Sequence, residues 1–227
     1  MYDIILLVGV VIMGYIFLFT FGFFTIWHLI ASLNQNEDNR KFSKGFILFS
    51  IIAFYLSVCP EPSWLVLLAL TFSWIGDLLL IPRGTKWFVA GGISFMISHI
   101  LFVICYALRI NFGNLSFVYF IAFGLFYLVI VAIVFKNLKP HLPKAIYYPM
   151  AFYLLINGTM NTFAICRFFS NMSRGPFITM IGAVLFFISD CILFFVRFDK
   201  DFRLKTHFAV MLTYSFGELL IIIGLMI

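Results

Sequence analysis

Charge is what this chain has least of. Only 11% of its 227 residues are Asp, Glu, Lys or Arg, while 64% are hydrophobic. So little polar material cannot cover a soluble domain, and the composition indicates an integral membrane protein. Long polar connections are missing too, which places any chemistry inside the apolar body or at its rim. The short alternating segments of an outer-membrane barrel are absent. The four cysteines, Cys59, Cys105, Cys166 and Cys191, show neither metal-ligand spacing nor a disulfide framework, and read as small buried hydrophobes. No His-Glu-x-x-His, Gly-x-Ser-x-Gly or P-loop pattern occurs, so neither a metal nor any other cofactor is expected. The net charge of +6 is spread over short connections without interleaved aromatics, so no nucleic-acid partner is expected.

What is present is a series of apolar runs. They predict an all-α polytopic bundle of eight transmembrane helices, at about 4–32, 42–58, 63–81, 87–108, 115–135, 145–167, 176–196 and 206–226, in one integral-membrane domain over 1–227. The second run is the shortest. Pro60 and Pro62, Pro82 and Gly84, Gly113, Pro140 and Pro143, and Gly175 with Pro176 punctuate the breaks. The N-terminus lacks a basic region before its long apolar run and reads as a retained first span. Basic residues divide unevenly. Arg40, Lys41, Lys44, Arg83, Lys86, Lys136, Lys139, Lys144, Arg197, Lys200, Arg203 and Lys205 fall in odd-numbered connections, and only Arg109, Arg167 and Arg174 in even ones. The positive-inside rule then puts the odd connections in the cytoplasm and both termini outside. In a bacterium the membrane is the cell (inner) membrane.

Two aspartates interrupt the apolar runs: Asp77, after Trp74-Ile75-Gly76, and Asp190, after Phe186-Phe187-Ile188-Ser189. A carboxylate in a membrane span is costly and marks a functional site by default. At helical rise Asp77 lies ~8 Å and Asp190 ~10 Å from the cytoplasmic end of its span, so the two share a level. His99, Asn157 and Glu218 lie nearer the midplane, with Asn161, Tyr153 and Tyr214 beside them. Together they predict a cavity reached from the cytoplasmic leaflet. Each also has a structural reading: His99 and the asparagines as links between helices, the tyrosines as packing residues. His28 reads as interfacial. The segment 74–80 resembles 187–193, but Phe95–His99 resembles 186–190 in the opposite sense. Two incompatible matches read as chance similarity.

In their order and placement the aspartate motifs resemble those of the YhhN-like lysoplasmalogenase family of small eight-span membrane proteins, over about residues 40–227. Gly76-Asp77 with Leu79 or Leu80, then Gly91, Gly92 and Ser98-His99, is similar to one signature. Gly182-Ala183, Phe186, Ile188 and Ser189-Asp190 are similar to a second. Tyr153 and Met160, and Tyr214 four residues before Glu218, fit further positions. Lys44 stands where the family has Lys-Pro, with Gly45 in place of the proline. The resemblance implies hydrolysis of the vinyl ether bond of lysoplasmalogens, drawn from the bilayer, to a fatty aldehyde and a glycerophospho-alcohol. It implies Asp77 and Asp190 as catalytic carboxyls, with His99, Glu218, Tyr153, Tyr214 and Lys44 orienting substrate or water; Asn157 is a candidate for the same role by its place in the sixth run.

The residues suit that chemistry in their own right. Vinyl ether cleavage needs a proton delivered to carbon and water added to the resulting oxocarbenium ion, a task for one protonated and one ionised carboxyl. The same buried carboxyls also suit proton-coupled transport of a small solute or lipid, or lipid binding without turnover.

Overall fold

The computed structural model describes residues 2–202 and 207–227, with side chains from Gly9 onward. The expected positions of Arg203 and Lys205 lie outside the described residues. Eight α-helices dominate, and no strand occurs among the described residues. They are α1 (Tyr2–Leu33), α2 (Glu37–Val58), α3 (Trp64–Leu79), α4 (Thr85–Ala107), α5 (Val118–Leu138), α6 (Tyr147–Asn171), α7 (Arg174–Phe198) and α8 (Phe208–Met226). Each expected apolar run holds one of them. Six (α1, α2, α4, α5, α7 and α8) are long and apolar enough to cross a membrane. Of the other two, α3 is apolar but only 16 residues long. The 25-residue α6 is long enough, but Asn157, Asn161, Thr162 and Arg167 interrupt its apolar character.

Two boundaries differ instructively from expectation. The second helix is not the shortest: it has 22 residues and starts at Glu37, five residues earlier than its apolar run. Asn36 caps it, its side chain accepting the Asn39 amide at 3.1 Å, and Glu37 and Asp38 in the first turn suit the positive end of the helix dipole. Arg40, Lys41 and Lys44 therefore ride on a helix and not in a loop. The shortest helix is α3, which stops two residues after Asp77 and not five. Pro82 and Gly84, the latter at φ +123°, turn the chain there. Asp190 lies eight residues before the end of α7. Depth counted along each helix thus differs between the two aspartates, because α7 extends further than α3.

Sequential neighbours pack most closely: α1 with α2, α3 with α4, α7 with α8. The order α2–α3–α4–α6–α7–α8 then closes on itself where α8 meets α2 and α1. The outer helices are α1, against α2 and α8, and α5, against α6. Only 17% of the apolar stretch of either is buried, against 61% for α8. Bare side chains such as Phe19 and Phe126 cover the outside, as a lipid-facing surface requires.

Lipid tails are as apolar as leucine, so helices in a membrane associate through close packing and polar links rather than through expulsion of water. The α7/α8 contact shows how. A Cβ on Gly182 would lie 2.6 Å from the Gly217 carbonyl, and one on Gly224 would lie 2.5 Å from the Gly175 carbonyl. Two facing glycine pairs, seven residues apart on each helix, bring the backbones into contact. Ser189 adds a hydrogen bond to the Val210 carbonyl at 2.8 Å. This clamp fixes Asp190 of α7 relative to Tyr214 and Glu218 of α8.

Candidate active site

Every helix of the ring sends a polar side chain inward. Asp77 on α3 and Asp190 on α7 both border a cavity of about 580 Å³, at the end of the bundle carrying the α1–α2, α3–α4 and α7–α8 connections. The two aspartates are only 1% and 5% exposed, so each carboxyl depends on protein partners and on the cavity. Gly76 lets α4 approach Asp77: a Cβ there would sit 2.6 Å from the Phe95 ring.

The two carboxyls are held differently. Asp77 faces a cation, Lys44 Nζ lying 3.3 Å from Oδ1, while Tyr214 donates its hydroxyl to Oδ2 at 2.8 Å. Asp190 is held by neutral donors. Tyr153 Oη and Asn157 Nδ2, one turn apart on α6, both donate to Oδ2 at 2.6 Å. Among the described residues nothing donates a hydrogen bond to Oδ1. His99 Nε2 stands 3.9 Å from Oδ2. The imidazole of His99 is completely buried, packed edge-on to Phe186 at 4.9 Å, and neither ring nitrogen has a hydrogen-bond partner among the described residues.

A supporting layer continues beyond these groups. Asn161 donates to Asn157 Oδ1 at 3.0 Å and accepts from Tyr127 Oη at 3.1 Å, so peripheral α5 is tied into the arrangement. Glu218 is completely buried, and neither carboxyl oxygen has a hydrogen-bond partner among the described residues. Ser73 and Ser98, linked at 2.8 Å, join α3 to α4. The structure thus gathers Asp77, Lys44 and Tyr214 in one group and Asp190, Tyr153, Asn157 and His99 in another. Among the described residues Glu218 is hydrogen-bonded to neither group.

Several cavity residues were not singled out from sequence. His28 is the clearest correction. Instead of facing an interface it is 3% exposed, its Nδ1 lies 3.1 Å from Ser43 Oγ, and it borders the cavity. The reason is that α2 starts early and covers it. Arg40, Arg83, Arg197 and His207 also line the cavity. A spacing signal for two of them exists: Arg40 and Lys44 are four apart on α2, and Arg197 follows Asp190 by seven on α7, so each pair shares a helix face.

Fold and site together define a helical membrane-protein bundle built around a buried, asymmetrically partnered pair of carboxyls. The sequence matches the YhhN family over residues 39–225, nearly the whole chain beyond α1, and the protein belongs to that family. Neither the curated proteins nor the solved structures contain a match to it.

Proposed function

We infer that this protein is a membrane-embedded hydrolase that cleaves the vinyl ether bond of lysoplasmalogens, releasing a fatty aldehyde and a glycerophospho-alcohol. Family membership supports the reading. The observation that carries it is the unequal partnering of two carboxyls on one cavity: Asp77 beside a lysine, Asp190 among neutral donors. The ammonium of Lys44 balances an ionised Asp77. Among the described residues Asp190 has no Lys or Arg partner, and its Oδ1, with no donor there, can carry a proton.

On this assignment Asp190 protonates the alkenyl carbon β to the ether oxygen. The positive charge that develops on the α carbon and ether oxygen is stabilised by the Asp77 carboxylate. Asp77 then takes a proton from water as its oxygen bonds to the α carbon, giving a hemiacetal. In the collapse of that hemiacetal Asp77 returns its proton to the departing glycerol oxygen and Asp190 removes the hydroxyl proton. One water is consumed, one C–O bond breaks, and both carboxyls regain their starting states. Tyr153 and Asn157 are positioning residues that fix which oxygen of Asp190 faces the substrate.

In the same reading all eight helices cross the membrane, the basic connections lie in the cytoplasm, and the cavity opens toward the cytoplasmic leaflet. The test is to incubate purified protein with an alkenyl lysophospholipid in D₂O and analyse the aldehyde at once. Carbon protonation by an exchangeable carboxyl places one deuterium on the carbon next to the carbonyl. Absence of aldehyde would move proton-coupled transport to first place, and aldehyde without that deuterium would exclude the mechanism.

A further inference from the structure

The site has a second compartment, and it changes what the site can hold. Beside the polar cavity lies an apolar groove of about 260 Å³ between α4, α6 and α7. Apart from Tyr153 every side chain lining it is apolar, including Val89, Ile93, Met96, Met150 and Phe152. Leu80, Phe88, Phe95 and Leu193 border both the cavity and the groove and form their common wall. Tyr153 stands at the junction, with its ring in the groove and its hydroxyl on Asp190, which lines the cavity. The far end of the groove reaches the outer surface: Ile93 is 50% and Phe152 57% exposed, on the face a membrane would cover.

The polar compartment has the opposite character. Five cationic side chains, Arg40, Lys41, Lys44, Arg83 and Arg197, stand around it, and its acidic residues are Glu37, Asp77 and Asp190. The acids are engaged: Glu37 with Arg83 and Lys41, Asp77 with Lys44, and Asp190 with Tyr153 and Asn157. Two of the cations are not. Among the described residues neither Arg40 nor Arg197 has an acidic partner within ion-pair distance. Arg40 Nε is buried without a hydrogen bond, and Arg197 lies over the Phe88 ring, 5.4 Å from its centroid, on the common wall. Two guanidinium groups bordering one cavity without an acidic partner among the described residues suit an oxyanion that presents several acceptor oxygens.

We propose that the two compartments form one site for a single-chain phospholipid. Arg40 and Arg197 bind its phosphate, its hydrocarbon chain lies in the groove between α4, α6 and α7, and the bond joining the two parts rests against Tyr153 and Asp190. The chain reaches the groove sideways from the bilayer. Because no cavity carboxylate is left over for an amine, the site reads the phosphate and ignores the amine of the head group. This assignment rests on the hydrolase reading for its account of the reacting bond, but its two subsites are tested without turnover.

The probe is a 1-O-alkyl lysophospholipid, whose saturated ether lacks the bond to be cleaved, with choline or ethanolamine as head group. Binding to the purified, detergent-solubilised protein is measured by native mass spectrometry, beside 1-O-alkylglycerol, which lacks phosphate, and inorganic phosphate. Wild-type protein is expected to bind both lysophospholipids within a fewfold of each other and more tightly than either fragment. The double variant Arg40→Gln/Arg197→Gln should lose about tenfold or more for the lysophospholipids, with alkylglycerol binding unchanged, since two charge-assisted contacts are removed.

Gly92 lines the groove, and a Cβ there meets nothing within 4 Å, so Gly92→Phe fills the groove without pressing on the backbone. It should weaken lysophospholipid and alkylglycerol alike. Should that variant fail to fold, a photoreactive group at the end of the alkyl chain takes its place in wild-type protein, with cross-links expected on 89–96 and 149–153. Unchanged lysophospholipid binding in the arginine variant overturns the phosphate site. Inorganic phosphate binding as tightly as the lipid reduces it to a general anion site, and cross-links elsewhere overturn the groove. If binding follows the expected pattern but no alkenyl substrate is cleaved, the subsites stand and the hydrolase reading fails.

Discussion

Lys44 reaches from α2 to α3 and sets its ammonium 3.3 Å from Asp77 Oδ1, with only 16% of the lysine side chain exposed. This is the feature that makes the two carboxyls unequal. Replacing Lys44 by Met keeps the length of the side chain and removes the charge. The expected result is a loss of aldehyde release on the order of a hundredfold, seen in kcat with KM little changed, because in the proposed mechanism the cation balances the Asp77 carboxylate. Lys44→Arg should recover part of the rate. A rise in KM alone would instead make Lys44 a substrate contact.

Asp77→Asn and Asp190→Asn keep shape and hydrogen-bonding capacity but remove the proton donor or the charge. Each should lower turnover by ~10² to 10⁴ while leaving a folded protein. Glu218→Gln should be milder, since neither of its carboxyl oxygens is hydrogen-bonded to either aspartate's partners among the described residues. Measured at equal expression, near-normal turnover in both aspartate variants would make the carboxyls structural and remove the basis for hydrolysis.

Much of this arrangement was legible in the sequence, and the exceptions have physical causes. Eight apolar runs became eight helices, because backbone groups in a membrane are satisfied within a helix. Asp77 and Asp190 stood out because charge is scarce in apolar runs. Lys44 was nominated only through the family pattern, and Arg40 and Arg197 were read only as orientation signals. Nothing in a hydropathy pattern tells that Asn36 starts α2 early, so that Arg40 lies on that helix at the cavity. The pairing of Asp77 with Tyr214, 137 residues apart, depends on ring closure through α8, which no local pattern encodes. His28 was misjudged because its burial is supplied by a neighbouring helix.

The glycine pairs between α7 and α8 make a stability prediction. At Gly182 a methyl group would press on the Gly217 carbonyl and the Ile221 amide, at 2.6 and 2.7 Å, and both are backbone atoms that cannot swing aside. Gly182→Ala should therefore separate the helices and destabilise the bundle by about 1–3 kcal/mol. A lower unfolding temperature in detergent would show it. Gly92→Ala, where the added carbon meets open space, serves as the comparison and should leave that temperature unchanged. Equal behaviour of the two would mean that α7 and α8 are not held by backbone contact.

The last prediction concerns α3, whose 16 residues rise about 24 Å, short of a hydrocarbon core of about 30 Å. Because α3 carries Asp77, its path decides on which side of the membrane the site opens. In the proposed topology it crosses fully, helped by local thinning of the bilayer over a short apolar stretch. Single cysteines can read this in a variant whose four native cysteines are replaced. Exposed positions Gln35 and Lys139 lie in odd connections, and Glu61, Asn114 and Met172 in even ones. A membrane-impermeant thiol reagent added to intact cells should label Glu61→Cys, Asn114→Cys and Met172→Cys. It should reach Gln35→Cys and Lys139→Cys only after the membrane is opened. The reverse pattern would turn the whole bundle over. Protection of Glu61→Cys alone would show that α2 and α3 form a re-entrant pair, leaving α1, α4, α5, α6, α7 and α8 as the crossings, even though α2 is long and apolar enough to cross by itself.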